Sequence, residues 1–197
     1  MGDKMAASQI QKRYNLTMKI AVVFGTRPEI IKLSPVIRQL KKKKADFFII
    51  HTNQHFSKTM DEIFIDELDL PKPKYNLGLN KIKNHGEMVG RMLIEIEKIL
   101  LYEKPNLVIV QGDTNSTLAG ALTASKLQIK LAHIEAGLRS YDREMPEEIN
   151  RVVTDHLSDF LFAPTEKQKK ILIGEGIEKN KIFVVGNTIV DAVFEKC

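Results

Sequence analysis

From Met18 onward, short apolar runs alternate with longer amphipathic stretches along the whole chain. Residues 19–24, 47–52, 106–111, 130–134, 159–163 and 182–185 have the length and composition of buried strands. Residues 28–43, 57–68, 86–103, 114–127, 147–157 and 165–174 carry helical periodicity, with starts marked by Ser57, Thr114 and Thr165 and breaks near Pro71-Lys72-Pro73 and Gly174. Apolar strands that alternate with helices pair in parallel and are covered on both faces, so the fold class is α/β, a three-layer parallel sheet. Asp69 to Asn84 has two prolines, a glycine and no clear period, and reads as a long loop at a functional or peripheral edge.

With 197 residues and 43% apolar content, the chain can bury one substantial core. No apolar run approaches the roughly 20 residues that cross a bilayer. Met1 to Thr17 lacks the apolar centre of a secretory signal and reads as a flexible extension, with the domain starting at Met18 and running to residue 193. The single cysteine, Cys197, excludes an intrachain disulfide and fits the cytoplasm. A net charge of +5 raises the question of nucleic acid. The densest basic run, Lys41 to Lys44, falls at a predicted helix end, where cations suit the dipole, and aromatics are not interleaved with the basic residues. Neither nucleic acid nor membrane is therefore expected as a partner.

In doubly wound sheets, ligands sit beyond the carboxyl ends of the strands. There this chain places Phe24-Gly25-Thr26-Arg27-Pro28-Glu29 through Lys32, a strand exit followed by a cationic helix start. Free N–H groups at that start, with Arg27 and Lys32, suit an anion such as a phosphorylated ligand; the plainer alternative is an ordinary turn with a solvated arginine. Asp113 and Glu135 end two further strands, and Glu147 or Glu148 opens the next helix. Carboxylates gathered at one cleft push their pKa values apart, which suits proton abstraction and return. Structural roles compete: Asp113 as a helix cap, and Glu147 paired with Arg151 at i,i+4 for roughly 0.3 to 0.5 kcal/mol. His51, His55, His85, His133 and His156 lack the spacing of a zinc site, and no metal is expected. His133, in an apolar strand, reads as a satisfied buried residue. Neither Gly-x-Gly-x-x-Gly nor a Walker sequence follows any strand.

Taken in order, the loops Phe24-Gly25-Thr26-Arg27-Pro28-Glu29, Gln111-Gly112-Asp113-Thr114, His133-Ile134-Glu135-Ala136-Gly137-Leu138-Arg139, Pro146-Glu147-Glu148-Ile149-Asn150-Arg151 and Gly186-Asn187-Thr188 resemble the non-hydrolysing UDP-N-acetylglucosamine 2-epimerases. The likeness covers nearly all of Lys19 to Val193. It implies the N-terminal, Rossmann-like domain of a glycosyltransferase-B type fold, a homodimer, no cofactor, and UDP-N-acetylglucosamine or UDP as ligand. It also implies interconversion of UDP-N-acetylglucosamine and UDP-N-acetylmannosamine through loss of UDP, a 2-acetamidoglucal intermediate and re-addition. On the matching motifs, Asp113, Glu135 and Glu147 resemble the catalytic carboxylates, with Glu147 placed ahead of Glu148 because it follows Pro146. Arg27 and Lys32 resemble ligand-binding residues, and Arg151 one that holds the carboxylates or the pyrophosphate.

Two departures qualify the likeness. Gln54-His55-Phe56 stands where many bacterial relatives have Gln-His-Arg, which weakens transfer of a substrate-activation site. Cys197 falls where the family passes through a connector, 194–197 here, into a second domain, so the fragment alone is expected to be inactive or nearly so. A UDP-releasing, hydrolysing epimerase and a nucleotide-sugar-binding module are the alternatives.

Overall fold

A computed structural model describes residues 18–53, 65–79, 82 and 84–194. Among these residues, seven strands form one parallel sheet: β1 (Lys19–Phe24), β2 (Asp46–His51), β3 (Tyr75–Asn76), β4 (Leu107–Gln111), β5 (Lys130–Ile134), β6 (Phe160–Ala163) and β7 (Ile182–Val184). The helices are α1 (Arg27–Lys42), α2 (His85–Glu103), α3 (Asn115–Lys126), α4 (Pro146–Leu157), α5 (Glu166–Gly174) and α6 (Thr188–Phe194). The strand order β3-β2-β1-β4-β5-β6-β7 reverses direction between β1 and β4, the crevice where doubly wound sheets receive ligands.

Alternation along each strand sorts side chains onto two faces. Ala21, Val23, Phe48, Ile50, Val108 and Val110 pack under Met92, Ile96 and Leu100 of α2 and Ala121 and Ala124 of α3. Ile20, Val22, Phe24, Ile49 and Ile109 pack under Ile30, Leu33 and Ile37 of α1. The sheet is thus covered on both sides, as its unbroken apolar strands require. Helix α1 carries Pro35 inside it, which has no N–H to give the Ile31 carbonyl; the Ser34 hydroxyl takes that role at 2.9 Å.

The predicted strands and helices from β4 through α5 appear within a residue or two of their expected ends. β3 lies inside the stretch read as loop, because a two-residue strand is too short to show a period; it pairs with Ile50 and His51 of β2. Helix α6 is likewise additional, a short helix whose entry Asn187 caps by accepting from the Ile189 N–H at 3.1 Å. Of the helix expected over 57–68, residues 57–64 lie outside the described residues, and 65–67 are helical. The expected extension 1–17, Gln54-His55-Phe56 and Cys197 lie outside as well. Among the described residues, no helix is long and apolar enough to cross a membrane.

Candidate active site

The exits of β1, β4, β5 and β7 converge on Glu135. This residue follows β5 with a backbone φ of +70°, a strained conformation for a non-glycine residue that recurs at functional sites. Its N–H and that of Ala136 both donate to the Phe162 carbonyl at 3.1 Å, which keeps the turn in place. Lys32, from α1, donates to the two Glu135 carboxylate oxygens at 2.9 and 2.6 Å. The Gln111 amide donates at 2.6 Å and the Asn187 amide at 3.3 Å. One carboxylate therefore gathers donors from α1, the end of β4 and the loop after β7, while the Lys32 side chain keeps 27% of its surface open.

A second carboxylate lies beside the strand-order reversal. Thr114, not Asp113, caps α3, accepting from the Thr117 N–H at 3.2 Å, so the capping role weighed for Asp113 falls to its neighbour. The Asp113 side chain is free to turn to α4, where it pairs with Arg151, and it remains 30% exposed. Asn150 of the same helix donates to the Asp113 carbonyl at 2.9 Å.

The i,i+4 pair of Glu147 with Arg151 does not form; Arg151 pairs with Glu148 at 3.0 Å instead. Arg151 is also held by Asp113 and Glu148 by the 138–145 loop, so these two side chains, with Asp155 at i+7 from Glu148, lie on the buried face while Glu147 is left exposed in the first turn. Glu148 also accepts from the Ser140 N–H and hydroxyl at 2.9 and 3.0 Å and from the Tyr141 N–H at 3.0 Å, folding the 138–145 loop back onto α4. Burial works to raise its pKa, but those donors and the Arg151 charge more than offset it, leaving Glu148 below the usual carboxylate range.

Glu29 is a buried carboxylate at this edge whose contacts pattern reading passed over. It is 2% exposed, and one oxygen accepts from the Gly25 N–H, the Thr26 N–H and the Thr26 hydroxyl at 3.0, 2.8 and 2.8 Å. The other accepts from the hydroxyls of Thr114 and Thr117 at 2.8 and 3.2 Å, tying the first loop to the start of α3. Burial outweighs these donors and raises its pKa. The capping-box spacing Thr26-x-x-Glu29 was the available signal. Arg27 is partly exposed at the first position of α1, among the N-terminal N–H groups of that helix.

His133 and Asp155 lie beneath these groups. Burial alone would raise Asp155, yet the charges and hydrogen bonds of His133 and Arg139 hold its pKa down. His51, at the end of β2, is 1% exposed and packs its ring against Phe24, and burial lowers its pKa to about 4. Among the described residues, no group of three histidine, cysteine or acidic side chains is placed to hold a metal ion.

Cations at a helix start facing strand-end carboxylates, beside the strand-order reversal of a Rossmann-like sheet, define a domain suited to hold an anionic ligand and move a proton next to it. The family of UDP-N-acetylglucosamine 2-epimerases matches residues 38–197, and this chain belongs to it. It is 67% identical over 178 residues to the UDP-N-acetylglucosamine 2-epimerase of Methanocaldococcus jannaschii, covering 90% of this chain and 48% of that protein. It is 51% identical over 178 residues to a UDP-2,3-diacetamido-2,3-dideoxy-D-glucuronate 2-epimerase of Pseudomonas aeruginosa, covering 89% of this chain and 50% of that protein. The crystal structure of the Methanocaldococcus jannaschii enzyme with UDP-N-acetylglucosamine and UDP superposes with a TM-score of 0.88 at 67% identity, over 90% of this chain and 49% of that one. The chain thus spans about half the length of the curated relatives it matches. Its fold class is the N-terminal, Rossmann-like domain of a glycosyltransferase-B type fold.

Proposed function

We propose that this chain supplies the N-terminal half of a UDP-N-acetylglucosamine 2-epimerase of the non-hydrolysing kind, acting as a cytoplasmic homodimer without a cofactor. The observation that carries the reading is the pairing of two of the three candidate carboxylates with cations, Asp113 with Arg151 and Glu135 with Lys32, at adjacent strand ends. Epimerisation at C2 needs a base on one face of the sugar and an acid on the other, with cations to receive the departing diphosphate. A carboxylate removes the C2 proton as the C1–O bond breaks, its electron pair leaving with UDP, and the C1=C2 bond of 2-acetamidoglucal forms. UDP oxygen then attacks C1 while C2 gains a proton from the opposite face.

Asp113, Glu135 and Glu147 are assigned to this proton traffic, with Arg27, Lys32 and Arg151 on the ligand side. Of the three acids, Asp113 and Glu135 have the geometric support of fixed positions and cationic neighbours. Glu147 rests on its motif alone, and its exposed place in α4 leaves it for a ligand to order. Because the relatives are about twice as long, this chain by itself is expected to turn over little substrate. Product analysis of the protein at the full length of its relatives tests the reading. UDP-N-acetylmannosamine should form with UDP joined again at C1 of the sugar, whereas UDP released in step with free N-acetylmannosamine would mean a hydrolysing enzyme.

A further inference from the structure

His133 and Asp155 are buried side chain against side chain, each with 0% of its side-chain surface exposed. The His133 Nδ1 lies 2.7 Å from the Asp155 Oδ1, and its Nε2 lies 2.8 Å from the Gly112 carbonyl oxygen. A neutral imidazole offers one donor and one acceptor, whereas here both ring nitrogens face acceptors, so only the doubly protonated ring satisfies both contacts. The second Asp155 oxygen accepts from the Gly137 N–H at 3.1 Å and from Arg139 Nη1 at 2.7 Å. Arg139 is completed by Glu175 at 2.8 and 2.5 Å.

The backbone groups held by this pair belong to the two turns that carry the candidate acids. Gly112 sits at φ +74°, its N–H donating to the Ile134 carbonyl at 3.1 Å and its carbonyl held by His133, immediately before Asp113. Gly137 sits at φ +82°, its N–H held by Asp155, two residues after Glu135. An apolar residue would fill the space of His133 but leave the Gly112 carbonyl and Asp155 without their donor.

We propose that the His133 imidazolium and Asp155 are positioning residues that lock the Gly112 and Gly137 turns together and so fix the Asp113 carboxylate relative to that of Glu135. The catalytic consequence rests on the epimerase reading, while the charge state of the ring does not. The first test is a side-chain proton–nitrogen correlation of the histidines in the ¹⁵N-labelled chain at neutral pH. Both His133 nitrogens are expected to carry protons, and a singly protonated ring would overturn the proposal. The second is His133→Gln in the protein at the full length of its relatives, with the folded fraction measured alongside. Epimerisation kcat per folded molecule should fall about 10- to 100-fold while KM stays within about threefold. Loss of folded protein with kcat per folded molecule unchanged would overturn the positioning role. If His133→Gln does not fold, Asp155→Glu makes the same comparison, keeping the charge but moving both oxygens. A wild-type protein that gives no epimer while His133 carries both protons supports the lock and contradicts the reaction, so the two failures are told apart.

Discussion

Lys32 on α1 closes over both carboxylate oxygens of Glu135, at 2.9 and 2.6 Å, joining the first loop of the sheet edge to the end of β5. On the proposed reading, this pair links a ligand-side cation to a proton-moving group. In the full-length protein, Glu135→Gln and Asp113→Asn should each lower turnover by about 10² to 10⁴ if they act as acid or base. Steady-state kinetics showing turnover within a few-fold of the wild type would remove their assignment.

Gly137→Ala tests the second turn of the site. The backbone there has φ +82°, and an added Cβ would lie 2.8 Å from the Gln168 carbonyl oxygen of α5, which backbone cannot easily yield. Urea unfolding should show a loss of roughly 2 to 3 kcal/mol, above the ordinary cost of alanine at positive φ. Wild-type stability would mean that the turn relaxes freely.

At the opposite end of the sheet, Glu103 accepts from Lys19 and Lys74 at 2.5 Å each and from the Tyr75 hydroxyl, joining α2 to β1 and β3. The hydrogen bonds from Lys19, Lys74 and Tyr75 lower its pKa to about 2. A depressed carboxylate contributes stability that is complete above the unfolded value and is lost as pH falls from about 4.5 towards about 2. Glu103→Gln should cost about 2 kcal/mol at neutral pH, allowing for the exposed Lys74, and should flatten the acid limb of the unfolding curve. An unchanged acid limb would contradict the clamp.

His51 shifts stability in a different window. Its folded pKa of about 4 lies below the 6.5 of the open chain, so the unfolded state binds the extra proton between those values. Stability is therefore unaffected above pH 6.5 and falls as pH drops towards 4, by at most about 3 kcal/mol. Replacing it by His51→Gln should remove that slope in unfolding midpoints measured across the window; a slope of the same size in the variant would assign it to other groups.

Much of this architecture was legible in the chain, because apolar runs such as Ile20 to Phe24 and Leu107 to Val110 are continuous and their exits carry polar clusters. The loops at Arg27, Asp113 and Glu135 do meet at one edge, since a parallel sheet brings every strand exit to the same side. What escaped reading was the choice among neighbours. Glu148 rather than Glu147 meets Arg151, because donors from the 138–145 loop and the Asp113 carboxylate hold both partners on the buried face, whereas Thr114, which the sequence marks as a helix start, does cap α3. Links such as Asn187 to Glu135 join residues 52 positions apart and leave no local pattern. Strand β3 is too short for periodicity, and its place is settled by pairing with β2.

The proposed reaction removes a proton from C2 of a UDP-sugar at this sheet edge and returns one from the other face. Incubating the full-length protein with UDP-N-acetylglucosamine in deuterated water and following C2 by proton NMR tests it most directly. Deuterium is expected at C2 of both epimers, with loss of that exchange in Glu135→Gln or Asp113→Asn. Formation of UDP-N-acetylmannosamine with the original proton retained at C2 would contradict it.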